Sequence, residues 1–190
     1  SADRVFCSGA DLSEASADGM SVGTQAIVGL QRSVVAMSKP VVAVVQGRAL
    51  AGGCGLATGC DLVLAARSAQ FGYPEVQRGF VPAIVMTLLR RAVGDKVAFD
   101  LAATGRLLDA TEAAAAGLVS RVYEDADFEE QVGDVLRGLA ATSPSALAFT
   151  KQQFYQLDGL TFEDGIRLGA DVNAVSRSTP AENRALAEEK

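Results

Sequence analysis

The backbone N–H groups of "GRALAGGCGLATGCDL", residues 47 to 62, are where this sequence can do chemistry. The chain has no histidine. That removes Ser-His-Asp and Cys-His sites, H-E-x-x-H zinc sites and any histidine base, so carboxylates, lysines or backbone amides must carry catalysis. The segment 47 to 62 sets five glycines beside two cysteines, directly after the apolar run "VVAVVQ". Glycine weakens helices and strands, so such a cluster marks a place where something approaches the backbone closely, either another piece of chain or a ligand. Two nucleotide readings fail on the letters. A G-x-G-x-x-G fingerprint from Gly47 meets Ala49 where glycine is required, and a phosphate-binding G-x-x-x-x-G-K-[ST] loop offers Gly53 for the lysine and Cys54 for the hydroxyl. An uncharged turn remains, with N–H groups free at a helix start. It suits an oxygen that becomes negative only during reaction. The plainer alternative is close helix-strand packing.

The elements that must position these groups are written in the hydropathy pattern. "TQAIVGLQRSVVAM" places Ile27, Leu30, Val34 and Met37 on one helical face, "SKP" stops that helix, and "VVAVVQ" reads as a buried strand. After the glycine cluster and one short helical turn come strands in "DLVLAA" and "AQFGY". Helices follow in "AIVMTLLRRAV", "KVAFDLAA" and "ATEAAAA", then a strand in "LVSRVY". From Phe128 the pattern is helical, with starts at "SPSALAFTKQQF" and "TFEDGIRLGADVNAV". The fold class is α/β followed by an all-helical tail, in one domain.

Composition bounds the partners. Seventeen basic against 23 acidic residues give a net charge of −6, which argues against a nucleic-acid or anionic-membrane surface. Cys7, Cys54 and Cys60 are too few and too scattered for a disulfide framework and read as reduced thiols. No apolar stretch approaches the ~18 residues of a membrane span, and Ser1 to Phe6 resembles no signal peptide. A soluble, cytoplasmic protein is expected.

Three ordered segments, "RVFCSGADLSE", "KPVVAVVQGRALAGGCGLATGCDLVLAARSAQFGYPEV" and "ATGRLLDATEAAAAGLVSRV", closely resemble the enoyl-CoA hydratase/isomerase family, the crotonases, over nearly the whole chain. The resemblance implies a ββα spiral core over residues 1–125 and a helical C-terminal region over 126–190, part of the same domain and used for trimer contacts. It implies a coenzyme A thioester as substrate, no cofactor and no metal, and a homotrimer or a hexamer built as a dimer of trimers. By the same resemblance the core lacks the family's usual segment ahead of the first motif. The backbone N–H groups of Ala10 and Gly52 match the pair that holds the thioester oxygen, and Glu75 matches the second catalytic glutamate of hydratases.

The first catalytic glutamate falls at Gly55, which has no side chain. Single-glutamate members include Δ3,Δ2-enoyl-CoA isomerases, and that reaction, in fatty acid metabolism, is the expected one. Hydration of a 2-enoyl-CoA is the alternative within the family, and a catalytically silent acyl-CoA-binding or structural paralogue is the alternative outside enzymes. Gly55→Glu is expected to raise hydration if its side chain fits. Apolar Leu147, Phe154 and Phe162 are the expected trimer contacts, and the acidic balance leaves only scattered cations such as Arg4, Arg32 and Lys39 to meet coenzyme A phosphates.

Overall fold

The computed structural model describes residues 5–9 and 22–178. They divide into two compact units: residues up to Val35 with Val41–Val132, and Ala36–Pro40 with Gly133 onward.

The first unit holds seven strands in two sheets. Strands β1 (Val5–Cys7), β3 (Arg48–Leu50), β5 (Gln70–Gly72) and β6 (Leu107–Asp109) form one, in the order β1-β3-β5-β6. Strands β2 (Val42–Val45), β4 (Leu62–Ala66) and β7 (Arg121–Tyr123) form the other, in the order β2-β4-β7. Every pairing is parallel except β5 with β6. The chain alternates between the sheets. Strand β2 leads into β3 and then helix α2 (Gly52–Thr58), and β4 leads into β5 and then helix α3 (Met86–Thr104). That repeat is the turn of the ββα spiral, and parallel sheets of this kind bury both faces. Accordingly Val45, Ala49, Leu64, Ala65 and Phe71 are fully buried.

Local chemistry sets the element ends. Asp61 Oδ2 accepts from Val41 N at 2.6 Å and holds the start of β2 against that of β4. Helix α4 (Ala110–Ala116) begins with a capping box, in which Asp109 accepts from Glu112 N and Glu112 accepts from Asp109 N. Helix α3 carries the two helices read in the sequence, joined at Gly94, whose φ of 73° lies in the left-handed region. The stripe on helix α1 (Val22–Ala36) differs from expectation. Val34 is buried and Ile27 half-buried, whereas Leu30 and Met37 are exposed, because the inward line runs through positions 27, 31 and 34 and leaves 30 and 37 to one side.

The second unit contains most of α5 (Phe128–Ala141), with α6 (Pro144–Gln156) and α7 (Phe162–Arg177). Ser143 and Thr161 cap α6 and α7 as read from the sequence. Lys151 is buried, and its ammonium donates to Lys39 O at 3.1 Å. Phe154 and Phe162 are exposed, while Leu147 is half-buried. Among the described residues no helix is long and apolar enough to cross a membrane.

Candidate active site

The glycine cluster begins where α2 meets β1. A Cβ on Gly53 would lie 2.2 Å from Cys7 O, so only glycine lets the helix start press onto the strand end. Ala51 turns the chain into the helix with φ 52° and ψ −128°, a left-handed backbone that costs a non-glycine residue about 1–3 kcal/mol. Its own N–H donates to Gly72 O at 2.9 Å. Gly52 is the first helical residue, so its N–H has no carbonyl one turn back to donate to. Gly9 reaches the same place from the end of β1, since a Cβ built on it would lie 3.2 Å from Gly52 N. Ala10, the expected second donor, lies outside the described residues, as does Arg4.

Glu75 stands on a 3-10 helix, Pro74–Arg78, at the exit of β5. Pro74 sets the first turn, and Gly79, with φ 77°, ends it. Two anchors hold this turn. Tyr73 is fully buried, with its hydroxyl 2.8 Å from Thr58 Oγ1 on α2. On the other side, Gln77 Nε2 donates to Thr104 O at 3.2 Å and to Gly105 O at 3.0 Å, at the end of α3. In a 3-10 helix residues i and i+3 eclipse, so Glu75 and Arg78 share the face that Gln77 leaves free.

That face borders a cavity of ≈ 860 Å³, whose wall includes Gly52, Glu75, Arg78, Ile27, Phe80 and Val85. The structure thus brings Gly52 and Glu75 to one space. Glu75 is the sole acidic side chain on its wall among the described residues. The carboxylate is half-buried, and its Oε2 is shielded from solvent without a hydrogen-bond partner. Burial pushes its pKa above the ordinary glutamate value, while a hydrogen bond from its own backbone N–H pulls the other way. A carboxylate adjusted in this direction is a better proton acceptor at neutral pH. The buried Cys54 thiol below it is pushed up to about 11 by desolvation and stays protonated.

The position matched to the first glutamate needs a correction. Gly55 is buried, and a Cβ there would lie 2.0 Å from Val85 Cγ1 and 2.8 Å from Val85 Cβ. The condition attached to Gly55→Glu, that its side chain fits, is therefore not met while Val85 stands. The same Cβ point is 3.6 Å from Gln31 Nε2, a buried amide nitrogen that also has no hydrogen-bond partner. Where a two-carboxylate site would place its second acid, this protein has a valine methyl and a neutral amide.

The enoyl-CoA hydratase/isomerase family model matches residues 1–174. The chain belongs to this family. A Thermus thermophilus relative named as an enoyl-CoA hydratase is 41% identical over 182 residues, covering 93% of this chain and 72% of its own. A Rhizobium meliloti relative of the same name is 36% identical over 167 residues, and this chain spans 65% of its length. Among solved structures, an enoyl-CoA hydratase of Mycobacterium smegmatis superposes with a TM-score of 0.90 at 27% identity, covering 98% of this chain and 76% of that one. An enoyl-CoA hydratase/isomerase family protein of Silicibacter pomeroyi gives 0.88 at 30% identity, covering 94% and 78%. The crotonase spiral read from the motifs is the fold observed.

Sequence reasoning missed three residues of this candidate site. Val85 and Gln31 are distant in sequence from Gly55 and meet it only in the fold. Arg78 carried a usable signal, because a proline-led 3-10 turn stacks position 78 over Glu75.

Proposed function

We propose that this protein isomerises 3-enoyl-CoA thioesters to 2-enoyl-CoA, with Glu75 as the single proton carrier. The Glu75 carboxylate removes a proton from C2, and the C–H electron pair moves into the conjugated system and onto the thioester oxygen. Gly52 N–H, with Ala10 N–H as the family resemblance assigns it, stabilises that oxygen. The protonated Glu75 then delivers the same proton to C4, and the double bond settles between C2 and C3. Fixed amides act without reorganising, and losing one such donor typically costs about 3–4 kcal/mol of transition-state stabilisation.

The observation that carries this reading is the occupied space at Gly55. Hydration by two carboxylates needs a second acid to hold the attacking water, and Val85 Cγ1 stands 2.0 Å from where that side chain would begin. Hydration of 2-enoyl-CoA is the second reading, favoured by the names of the Thermus and Rhizobium relatives. Exposed Phe154 and Phe162 on the helical unit are consistent with a homotrimer, or a hexamer of two trimers. Supplying matched 3-enoyl- and 2-enoyl-CoA to the purified protein separates the readings. Faster isomerisation supports the first, faster Glu75-dependent hydration the second, and thioester binding without either reaction a silent paralogue.

A further inference from the structure

Arg78 is exposed, at the edge of the candidate site. It borders the same cavity as Glu75, on an otherwise largely apolar wall that includes Phe80, Val81, Ile84 and Val85. Arg67, Arg90, Arg106, Arg137 and Arg167 are in ion pairs with carboxylates, whereas Arg32, Arg121 and Arg177, away from the cavity wall, have no such pair among the described residues. Arg78 has no hydrogen bond or ion pair with any described residue, although Glu75 stands one turn away on the same face. Glu75 and Arg78 thus line one cavity without forming an ion pair with each other. Burial alone pushes the Glu75 carboxyl up, with no neighbouring cation drawing it down. The base keeps its proton affinity, and the guanidinium keeps its capacity for an anion.

We propose that Arg78 recognises a carboxylate at the far end of the acyl chain, so that this cavity takes acyl thioesters of dicarboxylic acids. The inference rests on the reading of the cavity as an acyl-CoA site and adds the substrate class. Guanidinium is the group suited to it, because its planar fork meets a carboxylate in two parallel hydrogen bonds. The spacing agrees. One 3-10 turn rises about 6 Å, from the residue that works at C2 and C4 to the residue that meets the terminal anion. A chain of six to eight carbons, plus the arginine stem, bridges that distance. The apolar wall receives the methylenes between the two ends. In a protein of net charge −6, a single unpaired cation at the cavity also marks where an anionic tail is admitted rather than repelled.

The test compares 3-hexenedioyl-CoA with 3-hexenoyl-CoA, and the eight-carbon pair likewise, on the wild-type protein, Arg78→Gln and Arg78→Lys. Wild type should prefer the carboxylated member in kcat/KM. Arg78→Gln should reduce that preference about 10- to 100-fold, the range for losing a hydrogen bond to a charged group, and Arg78→Lys should retain part of it. Titration with free coenzyme A distinguishes a carboxylate from the phosphates of the carrier: Arg78→Gln should leave its Kd unchanged. Equal weakening of both thioesters and of free coenzyme A would assign Arg78 to the carrier and overturn the proposal, as would a wild-type protein without preference. Saturated adipoyl-CoA and hexanoyl-CoA, read by calorimetry, keep the inference separate from the reaction. An Arg78-dependent preference in their Kd values sustains it even if no enoyl thioester is turned over, and equal Kd values without turnover overturn it.

Discussion

Replacing Gly55 by glutamate should damage the fold when made alone and create a second acid only when Val85 is removed with it. A Cβ at 2.0 Å from Val85 Cγ1 is far inside the 3.5–4.0 Å at which carbon atoms attract. Overpacking of this kind costs about 1–3 kcal/mol. The new carboxyl group would also enter a buried site, and a polar group buried without a partner costs at least about 2 kcal/mol. A combined loss of roughly 3–5 kcal/mol is a large part of a typical 5–15 kcal/mol stability. At about 2–4 °C per kcal/mol for a chain of this size, Tm should fall by about 6–20 °C. In Gly55→Glu/Val85→Gly both clashing atoms are gone, and Gln31 Nε2, 3.6 Å from the Cβ position, offers the carboxylate a donor. We expect the pair to recover at least half of the lost Tm and to raise hydration relative to isomerisation by about 100-fold, the lower end of the range for one positioned acid or base. Thermal melts and the loss of 2-enoyl-CoA absorbance measure both. A single Gly55→Glu variant with wild-type Tm would refute the packing argument. A well-folded double variant with no gain in hydration would refute the claim that the missing carboxylate limits that reaction.

The isomerisation rate should fall on an acid limb whose midpoint lies above the ordinary glutamate pKa, because burial raises Glu75, and Glu75→Gln should lack that limb; a kcat/KM profile against pH reads it. The same shift has a stability consequence. A carboxyl group whose folded pKa is raised favours the fold fully below its unfolded pKa, and that contribution is lost as pH rises through the folded value. Glu75→Gln should therefore gain Tm relative to wild type as pH rises above the ordinary glutamate pKa, and a constant difference in paired melts would contradict the burial of the charge. Sedimentation at micromolar concentration should give a trimer or hexamer, and a Phe154→Glu/Phe162→Glu variant, altered at exposed positions, should sediment as a smaller species.

Much of this fold was legible because its elements state their own ends. "ATEAAAA" is α4 residue for residue, and Ser143 and Thr161 announced the helices they cap. The glycine cluster pointed to a close backbone approach, and Cys7 O against Gly53 is that approach. Strands β3 and β6 escaped detection because "RAL" reads as part of a glycine loop and "LLD" runs straight into the capped start of α4. Leu30 and Met37 look like core residues in a periodic stripe, yet a helix buries only the part of its circumference that meets a neighbour. The site divided in the same way. Gly52 and Glu75 follow from motifs at fixed offsets, whereas Val85 filling the space above Gly55 is a contact across 30 residues that no local pattern encodes.

Exchange of the C2 protons of a saturated acyl-CoA with deuterium, followed by mass spectrometry, isolates the step on which everything else depends. It needs only a base and a polarised thioester oxygen, and neither a double bond nor a water nucleophile takes part. Wild-type protein should incorporate deuterium at C2, and Glu75→Gln should lose at least about 100-fold of that rate, as expected for removal of a positioned base, while its Kd for the thioester stays within about threefold. Undiminished exchange in Glu75→Gln, with binding intact, would show that another group moves the proton and would contradict the assignment of Glu75.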